Sequence, residues 1–239
     1  MQLDALLSSV AENCNIFDKI TVIWKGSGFS FKLGYGLLKH EYPEANFIEE
    51  SDFKKNVIHA LDCEHTCYMV DDLIAYRKIE CMPEIQENNV CFSLRLARNR
   101  VDSFTDIQYK DYVGFNWTGE RAYFNYPFSL DGHIFNTEYI KPMIKDREYN
   151  NPNKLEIAFG RYKATAPNLM SCFRESIVVS IPINRVSDTA SASFGEKYPH
   201  TAKELNDMFL RNQRIDWRNM DFENIKRPHQ EIEFKFKQK

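Results

Sequence analysis

Apolar and polar residues alternate in blocks along the first part of the chain, and the blocks predict strands and helices in turn. Runs of β-branched and aromatic residues predict strands at 20–24, 46–49 and 67–70. The segment 29–42 has helical apolar spacing and ends before a proline, and Asp52 is a typical helix N-cap for the segment after it. Strands that alternate with helices favour a parallel sheet, so this region predicts a nucleotide-binding half-domain.

The remainder of the chain predicts further strands around a long loop. One strand is expected at 90–96, and a second, interrupted by a proline, at 176–186. Between them, residues 100–127 hold many aromatic side chains with little periodicity, which is typical of a binding loop. We therefore predict a single α/β domain over 1–239. Its central Rossmann-type sheet is expected to be mixed, mainly parallel and flanked by helices.

Two adjacent acids, Asp71 and Asp72, follow the third predicted strand. Ionised carboxylates are costly to bury alone, so the pair is solvated, bonded to basic partners or holding a cation. Ligand sites of open α/β sheets lie beyond the carboxyl ends of the strands, which favours a functional role. Arg95 is a candidate partner for these acids or for a phosphate, and a structural salt bridge explains it equally well. A helix cap followed by an exposed acid is the structural alternative for the pair.

A turn rich in glycine and serine follows the first predicted strand. It consists of Trp24, Lys25, Gly26 and Ser27 and leads into the predicted helix. Such a turn before a helix often holds a nucleotide or phosphate, because backbone N–H groups point toward the bound anion. The turn has neither the Walker A ending nor the GxGxxG pattern.

A second candidate site lies later in the chain. Asp131 and His133 flank Gly132 between apolar residues, and an acid beside an imidazole is suited to proton transfer or metal binding. A plain turn with a structural histidine is the alternative. Glu156 follows Asn153 by three residues, so a capping box at a helix start explains it without any chemistry.

Composition excludes several classes of protein. The formal net charge is −3, whereas proteins that bind a nucleic-acid duplex through its phosphates usually have an excess of positive charge. The six cysteines form no CxxC pair, so a zinc module is not predicted. No signal peptide and no apolar run of about 18 residues is found, and we expect a cytoplasmic protein.

Several stretches taken together resemble glycosyltransferases of the GT-A fold, in particular a group of small bacterial and phage-encoded proteins related to family 2. The resemblance depends on order and spacing and covers most of the chain. The matching stretches are 20–27, 68–72, 91–96 with Asn99, 126–135, 153–156 and 181–186.

The resemblance implies a donor that is a nucleotide-diphosphate sugar held over Mn²⁺ or Mg²⁺. Asp71 and Asp72 are similar to the metal-binding acidic motif of that family. The usual pattern is DxD, whereas Leu73 follows here, and His133 is a candidate for the missing ligand. The implied donor-binding residues are Trp24, Lys25, Gly26, Ser27, Asp71 and Arg95. Residues 1–100 are then the nucleotide-binding half, 101–218 the acceptor side and 219–239 a tail.

The resemblance also implies a carboxylate base that takes the proton from the acceptor hydroxyl. Asp131 and Glu156 compete for this role, and Ile157 stands where the family pattern has a second acid. The default acceptor is a glycan, and a hydroxymethylated DNA base is the phage-type alternative. The rival functions are a nucleotide- or carbohydrate-binding module without catalysis and a nucleotidyltransferase, which also uses two acids.

Overall fold

A computed structural model describes residues 1–98, 106–183, 197–198 and 200–239. Asn99 and residues 184–186, which belong to the stretches named above, lie outside the described residues. Within the described ranges, no helix is both long enough and apolar enough to cross a bilayer.

The elements alternate along the chain much as the sequence predicts up to residue 68. The helices are α1 (Gln2–Asn13), α2 (Phe29–Glu41), α3 (Phe53–His59), α4 (Thr137–Asp146), α5 (Pro152–Gly160) and α6 (Ala202–Leu210). The strands are β1 (Thr21–Trp24), β2 (Asn46–Glu49), β3 (His65–Tyr68), β4 (Leu73–Ala75), β5 (Asn89–Ser93), β6 (Ile107–Gln108), β7 (Tyr112–Asn116), β8 (His133–Asn136), β9 (Leu169–Phe173), β10 (Val178–Ser180), β11 (Gln213–Ile215) and β12 (Phe236–Gln238).

The chain divides into two compact units that are not consecutive halves. The first unit comprises Met1–Phe47, Asp71–Cys81 and Val178–Lys239, and the second comprises Ile48–Val70 and Met82–Ile177. The expected division near residue 100 therefore differs from these boundaries. The chain passes from the second unit to the first between Val70 and Asp71, immediately before the two adjacent acids.

The first unit is built around helix α1 and short paired strands. β4 pairs antiparallel with β10, and β11 pairs antiparallel with β12. The N–H of Ala75 donates to Ser9 Oγ at 3.0 Å, and Asn13 Nδ2 donates to the carbonyl of Ala75 at 2.8 Å, so α1 closes the edge of β4. The apolar core of this unit consists of Ala5, Ile74, Val179, Ile181, Ile183, Leu205, Ile215, Trp217, Met220, Ile232 and Phe234.

The second unit contains a six-stranded mixed sheet in the order β3-β8-β5-β9-β7-β6. Only the pairing of β5 with β9 is parallel in this sheet, and its other four pairings are antiparallel. The mixed α/β class is confirmed, but the prediction of a mainly parallel sheet is wrong here. Sequence alternation suggested that β3 joins β1 and β2; instead β1 and β2 form a two-stranded sheet, and β3 pairs with β8.

The aromatic segment 100–127 is not one irregular loop in its described part. The five-residue strand β7 lies inside it and pairs antiparallel with β9 through the whole of its length. Side chains of this strand are buried, among them Val113 and Phe115. The irregular spacing of the aromatic residues reflects a strand followed by two short 3₁₀ turns.

Helix α2 packs against helix α6, and Gly34 lies at the contact. A Cβ added at Gly34 would lie 2.7 Å from Asn206 Oδ1, whereas a Cβ at Gly36 would meet no atom within 4 Å. The two glycines lie in the same helix, but only Gly34 is packed against another side chain. Gly36 therefore serves as a control for substitutions at Gly34.

Replacing Gly36 by alanine is expected to raise the free energy of unfolding by about 0.5–1 kcal/mol, because alanine loses less backbone entropy in a helix. Gly34→Ala should gain less, because the side chain of Asn206 must move to admit the methyl group. Urea denaturation of both variants measures the difference. Equal or greater stabilisation by Gly34→Ala would contradict the packing of α2 on α6.

Candidate functional site

Gly132, in the turn before β8, is hydrogen-bonded to the ends of both β3 and β5. The N–H of Gly132 donates to the carbonyl of Tyr68 at 2.7 Å, and its own carbonyl accepts from the N–H of Leu94 at 2.8 Å. Gly132 has a φ of 72°, in the left-handed region that favours glycine. These two hydrogen bonds hold the preceding residue, Asp131, beside the end of β5.

Arg95 follows β5 and pairs with the acid in that turn. Its side chain is buried, and Nη1 donates to Asp131 Oδ2 at 2.8 Å. The guanidinium also lies 6.0 Å from the ring centroid of Tyr123. The salt-bridge alternative for Arg95 is therefore realised within the second unit, and its donor-binding role stays a prediction.

Glu156 reaches from helix α5 into the same loop. Its Oε1 accepts from the N–H of Leu130 at 2.8 Å and from Ser129 Oγ at 3.2 Å, and Oε2 accepts from Tyr126 Oη at 3.3 Å. The loop 126–131 therefore bonds to Glu156 and also carries Asp131, which pairs with Arg95.

The predicted capping box at Glu156 is wrong. Asn151 is the N-cap of α5 and accepts from the N–H of Lys154 at 2.9 Å, and Pro152 occupies the first helical position. Proline favours that position because its missing N–H is not needed there, so the helix begins two residues earlier than expected. Glu156 consequently lies beyond the first turn, where its carboxylate is available to the loop.

The two acids of this site have opposite electrostatic environments. Burial raises the pKa of Glu156 above its usual value, and the nearby charge of Asp131 adds to the effect, whereas the N–H of Leu130 opposes it. Asp131 is paired directly with a guanidinium, which favours its ionised form. Two carboxyl groups in unlike environments are a frequent arrangement for acid and base roles.

His133 lies on strand β8, behind the turn. It is fully buried, and its Nδ1 is 3.1 Å from the carbonyl of Pro127 and 3.6 Å from Cys91 Sγ. Because a carbonyl only accepts, Nδ1 carries the proton. Burial lowers the pKa of His133 to about 3, so the ring is neutral at neutral pH. Only Nε2 then remains for the predicted metal ligation.

Asp71 and Asp72 begin the second segment of the first unit. The side chain of Asp71 is exposed overall. Protein atoms packed around its carboxyl group nevertheless reduce its hydration, and this raises the pKa of Asp71. Tyr35 lies close enough that the charge of Asp71 adds to burial in raising the pKa of its phenol to about 12. The ring of Tyr35 stacks on Trp24 with centroids 4.5 Å apart. The first unit therefore brings Trp24 and Asp71, two predicted donor-site residues, to the same aromatic side chain.

The turn after β1 is tight. A Cβ at Gly26 would lie 2.8 Å from Cγ of Lys32, so the glycine lets the turn pass close to helix α2. Lys25 and Ser27 lie in the same turn, between β1 and the start of α2. The turn thus occupies the position in which a phosphate-binding loop is expected, and phosphate binding itself stays a prediction.

The predicted metal site has few protein ligands. Within the described ranges, no group of three or more His, Cys, Asp or Glu side chains converges as a metal site would require. Two adjacent carboxylates nevertheless fit Mg²⁺ or Mn²⁺ bound together with substrate phosphates, because such ions commonly take only one or two protein carboxylates and complete their shell with phosphate and water.

Three residues that contact the predicted ones are not indicated by the sequence pattern. Tyr35 lies at an apolar position of the predicted helix, Tyr126 in the aromatic segment and Ser129 in an apolar run. Tertiary packing stacks the ring of Tyr35 on Trp24 and brings the hydroxyl groups of Tyr126 and Ser129 to Glu156. No local signal in the sequence separates them from other aromatic or hydroxyl residues.

Comparison with known proteins identifies no relative: no family model, no curated protein and no solved structure matches the chain. The resemblance to GT-A glycosyltransferases consequently depends on the residues quoted for it.

The buried neutral state of His133 predicts a pH dependence of stability. The folded pKa of about 3 lies below the ordinary 6.5, so the unfolded chain binds the proton first as pH falls. Stability is complete above pH 6.5 and decreases toward pH 3, by up to about 1.4 kcal/mol per pH unit from this residue. Urea denaturation across that range should show a flatter slope for His133→Asn. Identical slopes for variant and parent would mean that the pKa of His133 is the same in the folded and the unfolded chain, which contradicts its buried neutral state.

Proposed function

We propose that the chain is a glycosyltransferase that moves a sugar from a nucleotide-diphosphate donor to a hydroxyl acceptor, with Glu156 as the base. The observation that carries the proposal is the site in the second unit, where Glu156 of helix α5 bonds to the loop that carries Asp131 and the two acids have unlike surroundings. The order of motifs along the chain, described above, supplies the reaction class.

The raised pKa of Glu156 favours it over Asp131 as the base. A carboxylate is a better proton acceptor when its pKa approaches the working pH, and burial shifts Glu156 in that direction. Glu156 is also partly exposed, so an acceptor hydroxyl has access to it. Asp131 is paired with Arg95 at 2.8 Å, which weakens it as a base. We assign Asp131 the role of holding Arg95 and the turn in place.

An aromatic surface beside Glu156 favours a carbohydrate acceptor. Tyr126 is 37% exposed, and its hydroxyl lies 3.3 Å from Glu156 Oε2. Lys163 Nζ lies 5.4 Å from the centroid of the same ring. Exposed aromatic rings offer an apolar face to the C–H groups of a sugar, while the phenol offers a hydrogen bond. The formal net charge of −3 argues against a DNA acceptor, so a glycan hydroxyl is the proposed acceptor.

The donor is proposed to bind through the first unit. Asp71 and Asp72 would hold Mn²⁺ or Mg²⁺ with the diphosphate, and the stacked rings of Trp24 and Tyr35 are the proposed platform for the nucleobase. When bound, the cation supplies charge stabilisation to the leaving diphosphate. Lys25, Gly26 and Ser27 are the proposed contacts to phosphate, since they form the turn between β1 and α2.

Replacing Glu156 by glutamine should lower kcat by about 10²-fold or more with little change in donor affinity, because the amide cannot accept the proton. Asp131→Asn is the matched control and should retain more activity. Steady-state kinetics with a hydrolysable nucleotide sugar and a glycan acceptor measures both. The reverse order of losses would make Asp131 the base. Full activity in both variants would contradict the proposed site.

A stability measurement separates the loss of a base from misfolding. Because the folded pKa of Glu156 is raised, the stability it contributes is complete below its ordinary pKa of 4.5 and is lost as pH rises through the folded value. Urea denaturation should therefore show Glu156→Gln gaining stability relative to the parent as pH rises from about 4.5 toward neutrality. A variant that is less stable at every pH would indicate structural damage.

Donor binding predicts a metal-dependent thermal shift. UDP or GDP should raise Tm of the full chain only when Mn²⁺ or Mg²⁺ is present, because ligand binding stabilises the folded state. Asp71→Asn should abolish that shift, while Glu156→Gln should keep it. A shift that survives Asp71→Asn and Asp72→Asn would remove the cation assignment. Binding without hydrolysis or transfer of any nucleotide sugar would favour the non-catalytic module.

A further inference from the structure

Helix α2 presents a row of exposed apolar side chains. Phe29 is 84% exposed, Leu33 48% and Leu37 36%. They are spaced four residues apart, so they lie along one face of the helix. Each side chain is displaced only slightly around the helix axis from the one before it. A contiguous row of exposed apolar side chains is a candidate interaction site, because the largest apolar patch on a protein surface often has a function.

The opposite face of α2 is fixed in the first unit. Leu38 is buried, Gly34 lies against Asn206, and Tyr35 stacks on Trp24. Tyr42, which caps the end of the helix, donates from its hydroxyl to Asp4 Oδ1 at 2.8 Å. These contacts prevent the helix from turning its apolar row inward, so the row remains available at the surface.

The charges beside the row are basic. Lys32 and Lys39 are exposed on α2, and the helix has no acid in its first turn. The only acid of the helix, Glu41, is neutralised by Arg214 Nη2 at 2.8 Å and by Lys239 Nζ at 2.9 Å. The exposed face of α2 is thus apolar along one side and cationic along the other, although the whole chain is slightly acidic.

We propose that this face of α2 binds the surface of an anionic lipid bilayer. Phe29, Leu33 and Leu37 would enter the boundary between headgroups and acyl chains, and Lys32 and Lys39 would face lipid phosphates, as in other interfacial amphipathic helices. A second copy of the chain fits less well. Three side chains offer a few hundred Å² at most, below the roughly 800 Å² per partner of a stable protein interface, and the lysines would repel their own kind. The proposal does not depend on the proposed glycosyl transfer.

Co-sedimentation of the full chain with lipid vesicles tests this proposal. Vesicles of phosphatidylcholine with phosphatidylglycerol should bind the protein, and vesicles of phosphatidylcholine alone should not. Binding should weaken as salt is raised, because salt screens the lysine contacts. Equal binding to both kinds of vesicle, or binding to neither, would overturn the proposal.

Variants assign the binding to α2. The double change Phe29→Ser and Leu33→Ser should weaken binding to the anionic vesicles by about tenfold or more. Lys39→Gln should weaken it by about fivefold. The control is Ile157→Ser, which removes a 63% exposed apolar side chain from helix α5 and should leave binding unchanged. Loss of binding in the control as well as in the α2 variants would contradict the assignment.

Folding and self-association are measured in parallel. All variants should keep the parent's circular dichroism and Tm, because the substituted side chains are exposed in the first unit or, for Ile157, in the second. If the α2 double variant unfolds, Lys39→Gln decides the outcome. Sedimentation velocity should show the same species for parent and double variant. A parent dimer that the double variant converts to monomer, without vesicle binding, would show that a second copy covers this face.

Discussion

The candidate site depends on the two hydrogen bonds that hold Gly132 between Tyr68 and Leu94. They join the ends of two strands that lie on either side of β8 in the sheet, and the positive φ of Gly132 lets the chain turn between them. With the turn held in this way, Asp131 meets Arg95, and the N–H of Leu130 is available to Glu156. A residue with a side chain at 132 would strain the backbone, and the contacts of both acids depend on that backbone.

Asp131 and Glu156 are both carboxyl groups bound at one loop, but their surroundings favour different protonation states. Asp131 is bonded to a guanidinium, whereas Glu156 is bonded to neutral donors in a partly buried place. Charge pairing favours the carboxylate form of the first, and loss of hydration favours the neutral form of the second. The neutral, buried His133 lies behind them and binds the carbonyl of Pro127, which ties the start of the loop to strand β8.

Helix α2 serves two roles in the first unit. Its inner face holds Tyr35 near Asp71 and packs Gly34 against α6, and its outer face carries the apolar and basic row. Because opposite faces of one rigid helix carry these roles, substitutions on the outer face should leave the inner contacts intact.

Local patterns in the sequence determined the elements as far as Tyr68 and the helix cap at Asp52. Periodicity and capping act within a few residues, so the chain alone reveals them. Only the tertiary structure decided that β3 pairs with β8, that Arg95 binds Asp131, that Tyr35 stacks on Trp24 and that Tyr126 bonds to Glu156. Those contacts join residues far apart in the chain, and strand pairing is selected by burial of whole faces, which no local pattern encodes.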